Sequence, residues 1–146
     1  MAISSAICSS FKQELLQGKH SFESSGGHTF KIALFTSSAS LGAATTDYST
    51  SNEISNTSGS AYSAGGATLT NNGVSLSSTT AFVDFADPQF TSATLDADGC
   101  IIYNDTATNN PAVCVINFGS TQSSDNGTFT ITMPTADASN AIIRIA

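Results

Sequence analysis

The chain has 146 residues, of which 40% are hydrophobic and only 10% are charged. A single domain of this length buries about 68–70% of its unfolded surface, so its core needs neither disulfides nor a metal. The net charge is −7, with +1 on residues 1–31 and −8 on residues 32–146. Such an acidic body repels phosphate backbones, which argues against direct nucleic-acid binding.

The cysteines and the hydropathy pattern narrow the class of protein further. Cys8, Cys100 and Cys114 are odd in number and follow no metal-binding spacing, so we expect them to be small core residues. No apolar run reaches the roughly 18 residues of a membrane span, and the start lacks the pattern of a signal peptide. We therefore expect a protein made in a cytoplasm that does not enter a membrane.

The densest apolar pattern lies between Asp98 and Gly119. Two runs, 100–103 and 113–118, flank a connection rich in Asn, Asp, Thr and Pro. This pattern predicts two buried strands joined by a loop, at the centre of the core.

The first 28 residues differ from the rest. Ile7, Phe11 and Leu15 recur every four residues, which predicts an amphipathic helix over 4–17, capped by Ser4 or Ser5 and stopped at Gly18. Residues 21–28 are rich in Ser and Gly and predict a linker. We therefore divide the chain into an arm, 1–28, and a β domain, 29–146.

The β domain begins with a predicted strand over 29–36. Residues 37–67 hold few large apolar side chains and predict a long exposed loop, in which Tyr48 and Tyr62 are candidate contacts. Turn signals then separate short strands every 8 to 15 residues, at 67–70, 74–77, 81–86, 89–95, 99–104, 112–118, 128–133 and 141–145.

The spacing of these strands defines the fold class. Asn72-Gly73, Asp98-Gly99 and Asn126-Gly127 each predict a tight hairpin turn. The sequence therefore predicts an all-β protein, an antiparallel sandwich or barrel of the jelly-roll or Greek-key kind, with a short N-terminal helix.

The sequence offers little material for catalysis. His20 and His28 lie in or beside the linker and are expected to be solvated, and no Gly-x-Ser-x-Gly motif is present. Asp96-Ala-Asp98-Gly99 fails as a calcium loop because the twelfth position is Ala107. We therefore assign no catalytic, cofactor or metal residue, and we expect a structural or binding protein without a cofactor.

Four segments resemble a family of small structural proteins of tailed bacteriophage virions. They are 6–22 (AICSSFKQELLQGKHSF), 29–39 (TFKIALFTSSA), 102–106 (IYNDT) and 134–146 (PTADASNAIIRIA). The resemblance runs from near residue 3 to the end and omits the loop at 37–67. It is a pattern over the whole chain and includes no single diagnostic motif.

The resemblance implies a virion component without enzymatic activity. Within that class we favour a head decoration, or cement, protein that binds the outside of the major capsid protein shell, often as a homotrimer. The candidate contacts with partner or subunit are Ile7, Phe11, Leu15, Tyr48 and Tyr62. Two alternatives remain open, a tail or neck component and a carbohydrate-binding β-sandwich that would use the two tyrosines, although the chain has no Trp to stack on sugars.

Overall fold

The structure is a computed structural model that describes residues 2–55 and 61–146, and it is mostly β with one short helix. In chain order the elements are β1 (Ala6–Ile7), α1 (Ser9–Leu16), β2 (Phe30–Phe35), β3 (Ala67–Thr68), β4 (Asn71–Ser77), β5 (Thr80–Phe85), β6 (Gln89–Asn104), β7 (Ala112–Thr130) and β8 (Ile143–Ile145). The all-β class predicted from the sequence is therefore confirmed.

The strands form two antiparallel sheets. The first has the order β1-β7-β6-β2-β3 and the second has the order β4-β5-β8. Strands β6 and β7 pair along most of their length, with Gly99 opposite Asn117 and Ile102 opposite Cys114. The central hairpin predicted between residues 98 and 119 is confirmed, and it continues well beyond both predicted strands.

The three predicted tight turns are wrong, because all three dipeptides lie inside strands. The pairing shifts register beside Gly73, beside Gly99 and between Ser124 and Gly127, so each dipeptide lies at an irregularity of the ladder. Gly73 and Asn126 have φ of 100° and 48°. A bulge and a hairpin turn both favour residues that tolerate positive φ, so the same dipeptides serve either. As a result, four predicted short strands merge into β6 and β7.

The helix is shorter than predicted. Ala6 and Ile7 pair with β7 as strand β1, so the helix begins at Ser9 and its N-cap is Cys8, without a side-chain cap. The cap predicted at Ser4 or Ser5 is therefore wrong. The predicted stop is confirmed, because Gly18 has φ of 73° and the N–H groups of Gly18 and Lys19 bond the carbonyls of Leu15 and Glu14.

One core takes residues from both sides of the predicted boundary at residue 28. Phe22 stacks on Phe30 of β2 with 4.3 Å between ring centroids, and Phe85 of β5 lies 5.9 Å from Phe30. These rings join the two sheets. Whether residues 1–28 act as a separate arm in an assembly stays a prediction.

The cysteines behave as predicted. All three are free and buried. Burial raises the pKa of Cys8 to about 11 and that of Cys114 to about 12, so both are uncharged thiols at neutral pH. They fill the core as small hydrophobic residues.

Candidate functional site

The loop predicted to be exposed is anchored to the sheet at several points by buried side chains and backbone hydrogen bonds. Ile54 and Tyr62 are buried, and the Ile54 N–H donates to the carbonyl of Leu34 at 2.9 Å. The N–H of Tyr48 donates to the carbonyl of Asn110 at 2.9 Å. Most other side chains of 37–55 and 61–67 are exposed, so the prediction of an exposed loop is confirmed in part, while 56–60 lie outside the described residues.

All three tyrosines of the chain meet in one cluster around Glu53. The hydroxyls of Tyr48 and Tyr62 donate to the two carboxylate oxygens of Glu53 at 2.6 and 2.7 Å. The Gly65 N–H also donates to this carboxylate at 2.7 Å, and the Tyr103 hydroxyl donates to the Gly65 carbonyl at 2.7 Å. Burial, more than any neighbouring charge, raises the pKa of the three phenols, so they remain protonated donors.

This Glu53 cluster holds the loop in place. The Tyr62 hydroxyl also accepts from the Leu34 N–H at 2.9 Å, and the Tyr48 ring stacks on Tyr103 with 4.3 Å between centroids. The Glu53 carboxylate thus accepts three hydrogen bonds from within the chain. The cluster is a structural network, with its oxygen atoms committed to internal bonds.

The histidines form a second network, and the prediction that both are solvated is wrong for His20. The His20 side chain is 0% exposed, and its Nε2 lies 2.7 Å from Glu14. Asn104 lies between the rings, with Nδ2 at 3.0 Å from Nδ1 of His20 and 2.8 Å from Nδ1 of His28. Sequence reading missed this network because Asn104 is 84 residues away from His20.

The orientation of Asn104 fixes the protonation of His20. Asn104 Oδ1 accepts from the backbone N–H groups of Thr106 and Ala107, so Nδ2 must donate to both rings. Nδ1 of His20 therefore accepts, and its Nε2–H donates to Glu14. Burial lowers the pKa of His20, outweighing the opposing effect of Glu14, so the neutral ring fits this geometry.

The five predicted contact residues lie in different settings. Phe11 and Tyr62 are buried within the chain, Ile7 lies in β1, and Leu15 and Tyr48 are half-buried against the core. The structure brings Tyr48 and Tyr62 together at Glu53, but it does not unite them with the helix. Their role in binding a partner stays a prediction.

An exposed apolar surface lies elsewhere, on the second sheet. Val74 and Leu76 of β4 and Ile145 of β8 are 54%, 72% and 57% exposed. Leu76 pairs with Ala81, which pairs with Ile145, so these side chains share one face. We call Val74, Leu76 and Ile145 the exposed apolar face.

The exposed apolar face continues the core side of the sheet. Val74 pairs with Val83, and Val83 pairs with Ile143, and both of these partners are buried. A cavity of about 300 Å³ lies between this face and Leu15 of α1. The alternation Val74-Ser-Leu76 was a sequence signal for one apolar face, but it does not say whether that face is covered.

The described residues contain neither a membrane-length apolar helix nor a cluster of three or more His, Cys, Asp or Glu side chains placed to bind a metal ion. A fourth exposed apolar side chain, Leu16, lies at the end of α1 and is 91% exposed. The four exposed apolar side chains of the described residues are therefore the candidate site. No family model, curated protein or solved structure matches the chain.

Proposed function

We propose that the chain is a virion structural protein without enzymatic activity, a decoration protein that binds the outside of an assembled major capsid protein shell. The observation that carries the proposal is the exposure of four large apolar side chains, Leu16, Val74, Leu76 and Ile145. The ionisable groups in the two internal networks, by contrast, are bonded within the chain. The chain thus exposes apolar side chains that can contact a protein, while the ionisable groups of these networks are occupied by internal bonds.

The architecture suits this role. We infer that the two sheets form an open sandwich and that Phe22, Phe30 and Phe85 pack between them. This packing makes a stiff body whose surfaces keep fixed positions relative to one another. A shell repeats one binding site many times, so weak contacts of single subunits act collectively when they are joined to one another. The net charge of −8 on residues 32–146 favours solubility of the decorated particle.

The partners in this proposal are the major capsid protein and further copies of the chain, with the homotrimer as the stoichiometry that the resemblance implies. Leu16 is the candidate shell contact, because it is the apolar side chain of α1 that faces solvent most fully. Residues 1–31 carry a net charge of +1, so this end approaches an acidic surface with less repulsion than the rest of the chain.

The carbohydrate-binding alternative has lost support. It needed the rings of Tyr48 and Tyr62 as a surface for stacking sugars, but Tyr62 is 1% exposed and Tyr48 stacks on Tyr103. A tail or neck location uses the same kind of contact surface, and the choice between head and tail is made by the binding experiment.

The test is co-sedimentation of the purified protein with expanded, undecorated heads and, separately, with purified tails. We expect binding to heads at saturating stoichiometry, and at least tenfold weaker binding by Leu16→Lys. The control is Lys12→Gln, an exposed change on the same helix. Binding to tails alone would overturn the head assignment, and binding to neither particle would overturn the virion proposal.

A further inference from the structure

We propose that the outer edge of β4 is a self-association surface, at which two copies of the chain pair antiparallel about a two-fold axis through Ser75. The pairing would join the two second sheets into one continuous sheet of six strands. This inference goes beyond the proposed function and does not depend on it, because it concerns the purified chain alone.

The position of β4 leaves its edge open. It is the terminal strand of the second sheet and pairs only with β5 among the strands of the described chain. Near its start, the connector 21–28 lies alongside, since Asn71 Nδ2 donates to the Phe22 carbonyl at 2.9 Å. From Val74 to Ser77 every residue is exposed. The open part of the edge is therefore this C-terminal half.

Natural proteins block open edges with charge, proline, bulges or short length. The other outer strands use such means: β1 and β3 have two residues each, and β8 has three and carries Arg144. Past the residues that pair with β1, the outer edge of β7 is made irregular by the positive φ of Gly119 and Asn126. β4 has seven residues, and its exposed half, Val74-Ser-Leu-Ser77, contains no charge and no proline.

The absence of charge on β4 allows a second copy to be the occupant. The chain carries a net charge of −7, so most of its surface repels another copy of itself. β4 has no ionisable side chain, and the nearest acid on β5, Asp84, accepts from Asn72 Nδ2 at 2.8 Å. Two β4 edges can therefore approach each other without placing like charges opposite one another.

The side-chain pattern selects the register. With Ser75 on the two-fold axis, each residue 75 + k lies opposite residue 75 − k of the second copy. Val74 then faces Leu76 of the second copy, and Leu76 faces its Val74, all on the same side of the sheet. This register covers the two β4 members of the exposed apolar face, while it leaves Leu16 and Ile145 for other contacts.

The expected dimer is weak. Pairing of residues 74–76 on each copy, the open residues that this register places opposite one another, falls at the low end of protein interfaces, below about 1,200 Å². We therefore expect dissociation in the micromolar range or above, so that the dimer grows with concentration. Such a contact is suited to a surface on which neighbouring copies are already held close together.

The experiment has two arms, both on the full chain. Sedimentation velocity over a wide concentration range should show a monomer–dimer equilibrium, which Leu76→Lys weakens at least tenfold. Leu16→Lys is the matched control, since it places the same charge at another exposed leucine and should leave the equilibrium unchanged. Thermal melts verify that both variants fold.

The second arm tests the register by disulfide formation under mild oxidation. Ser75→Cys places two thiols opposite each other at the axis and should give a covalent dimer. Ser77→Cys, on the same strand and face, places its thiols roughly 14 Å apart along the strand and should not. The native cysteines are buried and contribute little background.

A chain that stays monomeric at all concentrations would overturn the proposal. Equal crosslinking of both cysteine variants, or crosslinking of Ser77→Cys alone, would overturn the register. Self-association that Leu76→Lys leaves unchanged would also overturn the two-fold contact, while leaving the proposed function standing, because its homotrimer could use other surfaces. Conversely, a dimer that binds neither heads nor tails would sustain this inference and reject the proposed function.

Discussion

Acidification is expected to destabilise the protein through His20. Its ring is buried beside Phe11, with 4.8 Å between centroids, and both ring nitrogens have partners. Protonation would place a hydrogen on Nδ1, facing the amide hydrogens of Asn104. The groups around the ring are Glu14 and Lys19 from the helix and its end, His28 from the connector and Asn104 from β6.

The lowered pKa of His20 determines whether acid raises or lowers the stability. The pKa of His20 is lowered in the folded chain from the ordinary value of 6.5. Below pH 6.5 the unfolded chain therefore binds a proton that the folded chain excludes, and the free energy of unfolding falls with pH. The stability that neutral His20 contributes is fully present above pH 6.5, and it is lost progressively as the pH falls towards the pKa of His20 in the folded chain.

The loss of stability on acidification is limited by the binding of one proton. A single group contributes a slope of at most about 1.4 kcal/mol per pH unit. If the folded ring stays neutral, the loss between pH 6.5 and 5.5 is about 1 kcal/mol. This is a measurable fraction of the roughly 5–15 kcal/mol that holds a typical domain together.

The assay is urea unfolding at pH 5.5, 6.0, 6.5 and 7.5, for the wild type, His20→Gln and His28→Gln. We expect the wild type and His28→Gln to lose stability on acidification, and His20→Gln to show a smaller loss. NMR titration of the His20 ring should give a pKa below 6.5 in the folded state. Equal slopes in all three proteins, or a folded pKa above 6.5, would refute the reasoning.

Three further predictions concern the fold. Gly66→Ala should lower the stability of the protein severely, because Gly66 has φ of 75° and an added Cβ would collide with the carbonyl oxygen of Ile32. Gly18→Ala is the control: Gly18 has φ of 73° but open space around it, so this change should cost only about 1 kcal/mol in thermal unfolding. Tyr62→Phe should cost about 1–3 kcal/mol in urea unfolding, since it removes a hydroxyl donor from Glu53; an unchanged midpoint would contradict the role of the cluster. The three buried cysteines should react with a thiol reagent only at the rate of unfolding, and fast labelling of the native protein would be inconsistent with their burial.

The sequence predicted what depends on local pattern. The apolar runs at 100–103 and 113–118 identified the central hairpin, and Gly18 identified the end of the helix, because burial and positive φ leave direct marks in the residues themselves. The same local reasoning failed at Asn126-Gly127, where the dipeptide supports a bulge. Turn and bulge share one backbone requirement, so only the pairing of the strands distinguishes them.

The networks depend on contacts that no local pattern reports. His20 looked solvated because its neighbours in sequence are polar, yet Phe11, Phe22 and Phe30 surround it in the fold. Glu53 looked like one acid in a polar loop. Phe11, whose helical spacing suggested a contact with another subunit, is buried in the core of its own chain.

The end of β6 explains why the two segments that the sequence offered for partner binding are held against the domain. Tyr103 and Asn104 are neighbours on this strand, so their side chains point to opposite faces of the sheet. Tyr103 donates to Gly65 and holds the 37–67 loop, while Asn104 bonds both histidines and holds the connector after α1. The two segments that the sequence offered for partner binding are thus tied to the central hairpin by buried hydrogen bonds, which are costly to break. Among the described residues, Val74 and Leu76 of the second sheet and Leu16 of α1 have no comparable cover, so these apolar side chains stay exposed.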